Sequence, residues 1–297
     1  MTPDEIRNTI LKAIYSDSDL TENLVLKGGN ALKLFNITNR ESQDLDFSIR
    51  ETVRFSEENE GKKLKKLIVE AFSKKGFFVN AFEFVSKPKK RHDSLPPFWG
   101  GYKISFSLLD KEQYQDKISS QDASQMKELN KYALSLEGGV KKIEIDLSYD
   151  EYVENKESYD LEGTRIYLYS PLMIVYEKIR ASCQQLDDYP LTTKKTRARD
   201  LYDIFKTLTN KGQVDLRSAV LNEDNFDILD NIFRVKDVPL ELMTKLSSKR
   251  EDLAADYEAK VLPQISSKER EEFEYIFDFN MRLFNELFEK YQKHISR

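Results

Sequence analysis

Asp44 and Asp46 are one residue apart in a stretch where Leu45, Phe47 and Ile49 alternate with polar residues. On a strand this spacing projects both carboxylates from one face, a hard-oxygen pair able to share a divalent cation. Asp146 lies in a second alternating run, KIEIDLS, and is a candidate third carboxylate, with Glu144 as the competing choice. Upstream, the apolar run Leu24–Leu26 leads into Lys27, Gly28 and Gly29, after which Ala31, Leu32, Leu34 and Phe35 follow helical spacing. Glycines directly after a strand admit close approach of a phosphate, and amides at the start of the next helix point toward it. Such a set suits the positioning of an attacking hydroxyl and the neutralisation of charge on a transferring phosphoryl group. Each signal alone also has a plain reading: a polar strand face, a turn, and a solvated Lys27.

A second cluster lies later in the chain. Lys178 and Arg180 sit among Leu172, Ile174, Val175 and Ile179, and the next helical pattern opens with Arg197, Arg199, Asp200 and Asp203. The stripe Leu201, Ile204, Phe205 and Leu208 predicts that Asp200 and Asp203 face a groove or solvent. The basic side chains suit triphosphate oxygens; the alternative is a structural ion-pair cluster of Asp200 with Arg197 or Lys178. Lys87, Lys89, Lys90 and Arg91, followed by Phe98, Trp99 and Tyr102, could meet a nucleic-acid strand through phosphate contact and stacking, or be a solvated loop beside core aromatics. His92 reads as an exposed loop residue and Cys183 as a semi-buried helix residue.

The positioning elements follow from hydrophobic period. Predicted are a helix from Pro3, the strand–glycine turn–helix around Gly28, the Asp44–Asp46 strand, a helix from about 56 to 75 ended by Gly76, and strands at 77–85, about 100–109 and 142–148. The polar stretch 110–131 reads as a surface insertion. From Pro171 the pattern is helical, with a long apolar-striped helix from about 267 to the end. This predicts a mixed α/β domain over 1–168 and a helical domain over 169–297.

Composition removes several classes. One cysteine and two histidines cannot form the usual soft zinc cage, so any metal is a hard one held by oxygens. No window reaches the roughly 18 apolar residues of a spanning helix, and the first residues lack a basic, then apolar, leader pattern. The expectation is a cytoplasmic chain with no membrane partner. At a net charge of −5, any polyanion site must be a local patch.

Three stretches resemble the AbiEii/AbiGii family of nucleotidyltransferase-like toxins of bacterial toxin-antitoxin and abortive-infection phage-defence systems. They are Lys27–Leu32 with Arg40–Phe47 (KGGNAL and RESQDLDF), Glu177–Ala181 (EKIRA), and Arg197–Ile204 (RARDLYDI). Asn30 stands where the family more commonly has Thr. The resemblance implies an α+β fold, a DNA polymerase β-like nucleotidyltransferase sheet domain followed by a helical domain. It further implies Asp44 and Asp46 as catalytic metal ligands for Mg²⁺ or Mn²⁺, with Asp146 at a third position where family members vary. Gly28 and Gly29 would cradle the phosphates of an NTP, with Lys27 beside them. Lys178 would bind phosphate oxygens with Arg197 nearby, Asp200 would be an essential acid near the nucleophile, and Arg40 and Ser42 would order the site or touch phosphates. The implied reaction is NMP transfer to an acceptor hydroxyl, foremost the 3′ end of tRNA or another RNA, in a protein neutralised by a cognate antitoxin. Transfer to a protein side chain, as in AMPylation, and a non-catalytic antitoxin- or nucleic-acid-binding module are the alternatives.

Overall fold

The computed structural model describes residues 1–38, 44–116, 126–136, 139–192, 195–213 and 215–297. Arg40 and Ser42 lie outside the described residues. The chain divides into two compact units: Met1–Leu26, Gln43–Val153 and Glu157–Leu168 form one, and Lys27–Ser42, Glu154–Lys156 and Tyr169–Arg297 the other. The segment after Leu26 thus groups with the helical unit.

The first unit is built on a seven-stranded mixed sheet of β1 (Leu24–Lys27), β2 (Leu45–Arg50), β3 (Phe77–Lys87), β4 (Gly101–Asp110), β5 (Ile143–Glu151), β6 (Glu157–Leu161) and β7 (Thr164–Leu168). Their order is β3-β4-β5-β2-β1-β7-β6. β2 runs parallel to β5 and β1 to β7, while β3–β4, β4–β5 and β6–β7 are antiparallel. The β6–β7 hairpin was not anticipated, because its strands, ESYDL and TRIYL, carry too few apolar residues to show a period.

The register aligns the alternation of three strands. Leu45 and Phe47 pair with Ile145 and Leu147, and Ile104 and Tyr102 pair with the same two residues from the other side. These side chains form one apolar face, nearly all of it buried. Burial of each such side chain contributes about 1.5–3 kcal/mol. Helices α1 (Pro3–Ile14), α2 (Ser18–Asn23) and α4 (Lys62–Ser73) belong to this unit, and α3 (Gly28–Leu34) follows β1 directly. Phe72 of α4 packs on Phe106 of β4 with ring centroids 5.8 Å apart. Gly76, at φ +82°, takes the left-handed conformation that ends α4.

Of the stretch 110–131 expected as a surface insertion, residues 117–125 lie outside the described residues, and its end, with buried Leu129, is not a surface segment. Leu129 and Ala133 are buried against Leu109, with Phe78, Tyr114 and Tyr132 around them. Asn130 Oδ1 accepts from Asn80 Nδ2 at 2.9 Å and from Ser107 Oγ at 2.9 Å. Asn130 thus serves hydrogen bonds to the sheet, which hydrophobic periodicity does not register.

The second unit is helical after Tyr169. Its central helix α5 (Pro171–Cys183) starts with a proline and a Ser170 cap whose Oγ accepts from the Met173 amide at 3.2 Å. Met173, Ile174, Val175, Tyr176, Ile179 and Cys183 are buried on all sides of it, as expected of a helix surrounded by others. Helix α6 (Ala198–Thr209) packs on α5, and the C-terminal helix α7 (Phe273–Ile295) packs on α6. Asn280 of α7 donates to the Leu201 carbonyl at 3.1 Å, tying the two.

Candidate active site

The polar sheet face is assembled by register. Asp46 of β2 is paired with Asp146 of β5, and Asp146 with Lys103 of β4, so the three form a row across neighbouring strands. Strands in a sheet are about 4.8 Å apart, which brings the two carboxylates side by side on one face. Asp44 is exposed just before β2 begins, and Glu144 lies two residues from Asp146. Lys87, the last residue of β3, pairs with Asp146, and Lys103 pairs with Glu144. Burial opposes the charge of Lys103, but Glu144, Asp146 and Asp44 outweigh it and raise its pKa. Lys87 was expected within a basic loop; the structure makes it a strand residue against the acid pair. Sequence reading missed Lys103 as a site residue, although its place in the alternating run KISFS was the available signal.

The donor set fits a hard divalent cation. Asp46 and Asp146 offer carboxylate oxygens from adjacent strands, and Mg²⁺ keeps several of its waters when held by one or two carboxylates. Among the described residues no three acids converge as a ready-made cage.

The glycine turn lies in the second unit. Gly28 has φ +71°, the region that glycine enters without a Cβ clash, so the chain can pass from the end of β1 into α3. Lys27, expected as a phosphate-binding or solvated residue, is buried, and its Nζ lies 3.8 Å from Glu177 Oε1. Glu177 also accepts from Arg180 Nη2 at 3.1 Å. Glu177 was read only as part of a motif, and its link to two cations is a product of the fold.

Lys178 and Asp200 are brought together, and the surface placement predicted for Asp200 and Asp203 is corrected. Lys178 Nζ donates to Asp200 Oδ1 at 2.9 Å and to Asp203 Oδ2 at 2.7 Å, with all three side chains buried. Arg197 Nη1 reaches Asp200 Oδ2 at 3.1 Å. The apolar stripe of α6 says which side is core, but α6 is packed on more than that side, and the ammonium of α5 makes burial of the acids tolerable. Burial would raise the pKa of Asp200, but Lys178 and Arg197 together hold it at about 2. Burial likewise opposes the charge of Lys178, and Asp200 and Asp203 overcome it and raise its pKa. The helix carrying Asp200 is anchored by Asp256, whose Oδ2 accepts from the Ala198 amide at 3.1 Å. Cys183 is fully buried, which pushes its thiol pKa up, away from any nucleophilic role.

The family model for the nucleotidyl transferase AbiEii toxin of type IV toxin-antitoxin systems matches residues 9–279. The chain belongs to the AbiEii family. It is therefore a nucleotidyltransferase of a toxin-antitoxin family, and membership implies an NTP substrate and an antitoxin partner. Among solved structures, JHP933 from Helicobacter pylori is similar at 19% identity and a TM-score of 0.47, over 99% of this chain and 93% of that one. An antigenic nucleotidyltransferase-like protein from Paracoccidioides brasiliensis is 14% identical with a TM-score of 0.37, over 79% of this chain and 99% of that one. The nucleotidyltransferase toxin MenT4 from Mycobacterium tuberculosis is 12% identical with a TM-score of 0.34, over 84% and 89% of the two chains. No curated protein matches this sequence. Among the described residues of this AbiEii chain, no helix is long and apolar enough to cross a membrane.

Proposed function

We propose that this AbiEii chain transfers NMP from an NTP, with Mg²⁺ or Mn²⁺, to the hydroxyl at the 3′ end of tRNA, acting in the cytoplasm as a phage-defence toxin. The observation that supports this most is the in-register pair Asp46–Asp146 on the polar face of the sheet. Asp46 and Asp146, with Asp44, would hold the cation, which supplies charge neutralisation on the transferring phosphoryl group when bound. Gly28 and Gly29, half-buried and buried at the start of α3, are assigned to the phosphates, and Lys27, Arg40, Ser42 and Arg197 to the nucleotide. Lys178 opposes two buried carboxylates, so its role is to hold Asp200 ionised and in place. An acid with a pKa of about 2 is a poor general base at neutral pH. Asp200 therefore acts by its fixed charge and not as the general base.

The test is incubation of the purified chain with each of four labelled NTPs, with total tRNA in one set and lysate protein in another. Label is expected on tRNA, and Asp46→Asn should reduce it by about 100-fold or more. Label on protein alone would replace the acceptor; no label on either would overturn the transfer reading.

A further inference from the structure

Within the sheet unit, the start of the loop between β3 and β4 inverts the charge of the chain. Four of the five residues Lys87–Arg91 are cations, in a protein whose net charge is −5. They fall into three physical roles. Lys87 ends β3 and pairs with Asp146, so the loop leaves the sheet at the acid-bearing face. Arg91 is a strut inside the loop: it donates to Tyr149 Oη at 2.7 Å and to the Trp99 and Leu95 carbonyls at 3.3 Å each. Tyr149 Oη in turn donates to the Trp99 carbonyl at 3.0 Å, and the Arg54 guanidinium lies over the Tyr149 ring at 4.2 Å. Lys89 and Lys90 are exposed and form no ion pair among the described residues.

A loop held by its own strut has less conformational freedom to lose when a partner docks. Two outward ammonium groups on such a loop suit a polyanion backbone, read by charge and not by sequence. An acidic protein surface offers charge as well. The start of the loop beside Asp146 favours the chain that must deliver a hydroxyl to that face. We propose that the Lys89–Lys90 ridge docks the phosphate backbone of the acceptor RNA. This deepens the preceding functional reading and rests on it.

The experiment measures binding of labelled total tRNA to the full chain by fluorescence anisotropy, without nucleotide, between 50 and 200 mM salt. Each phosphate contact to a single strand contributes about 0.7 to the slope of log affinity against log salt. K89E/K90E should therefore flatten that slope by about 1.4 and weaken binding at 50 mM by about tenfold or more. K89R/K90R should bind as the parent does. K65E/K66E on α4, both exposed, makes the same change in net charge and should stay within about twofold. Equal losses in K89E/K90E and K65E/K66E would overturn the ridge, leaving tRNA as acceptor if transfer to it persists. A parent chain that binds no tRNA and labels only protein would overturn the ridge and the RNA acceptor together.

Discussion

Replacing Lys178 by Met keeps the volume of the side chain and removes the ammonium that two buried carboxylates share. Lys178 Nζ is 2.9 Å from Asp200 and 2.7 Å from Asp203, and the three side chains are 6%, 11% and 0% exposed. Removing one partner of a buried ion pair costs about 3–5 kcal/mol, because the charge left behind has been taken out of water without compensation. The Asp200 pKa gives an independent scale. Its fall from 3.8 to about 2 corresponds to about 2 kcal/mol at about 1.36 kcal/mol per unit. The folded-state value is the lower one, so this stability is fully present above the unfolded pKa near 4 and is lost as pH falls toward 2. In Lys178→Met the opposing effect of burial is released, and Asp200 takes up a proton at a higher pH than in the parent. The stability deficit should be about 3–5 kcal/mol at pH 7 and should narrow as pH is lowered toward 4.5. Urea unfolding followed by circular dichroism at both pH values measures it. A deficit below about 1 kcal/mol at pH 7 would refute the buried-cluster reasoning, as would one that does not narrow on acidification.

Three further substitutions probe how the site is positioned. Asp146→Asn should weaken Mn²⁺ binding, read by calorimetry, by about tenfold or more, whereas Glu144→Gln, two residues away and engaged by Lys103, should leave it within about twofold; the reverse pattern would exchange the two assignments. Asp256→Ala removes the acceptor of the Ala198 amide at the start of α6 and should lower stability by about 1–2 kcal/mol, seen as a lower thermal midpoint; an unchanged midpoint would show that the cap contributes nothing.

The local grammar was legible where a period is pure. KIEIDLS and LDFSI alternate without interruption, so the strands and the polar faces that carry Asp46 and Asp146 could be read, because a pleated strand has a period of two whatever it packs against; Asp44, expected on the same strand, stands just before it. Pro171 with the run behind it announced α5, and Gly76 the end of α4, because these residues act through their own backbone restrictions. The hairpin of β6 and β7 and the Asn80–Ser107–Asn130 network escaped, because hydrogen bonding between distant polar residues leaves no periodic trace.

Residue types and motifs alone restricted any metal to a hard one, and gave a mixed sheet followed by helices and the family to which the chain belongs. They could not say which acid stands beside Asp46, since Glu144 and Asp146 share one strand face. The parallel β2–β5 register selects Asp146. Nor could they show that Asp200 and Asp203 are buried. An amphipathic stripe reports one side of a helix, while burial of a charge depends on whether another element delivers the opposite charge. Here α5 delivers Lys178, 22 residues earlier than Asp200, and with it a solvated face becomes an internal ion cluster. Charge is written in the sequence, but the dielectric and the partner that set its energy exist only after the helices pack.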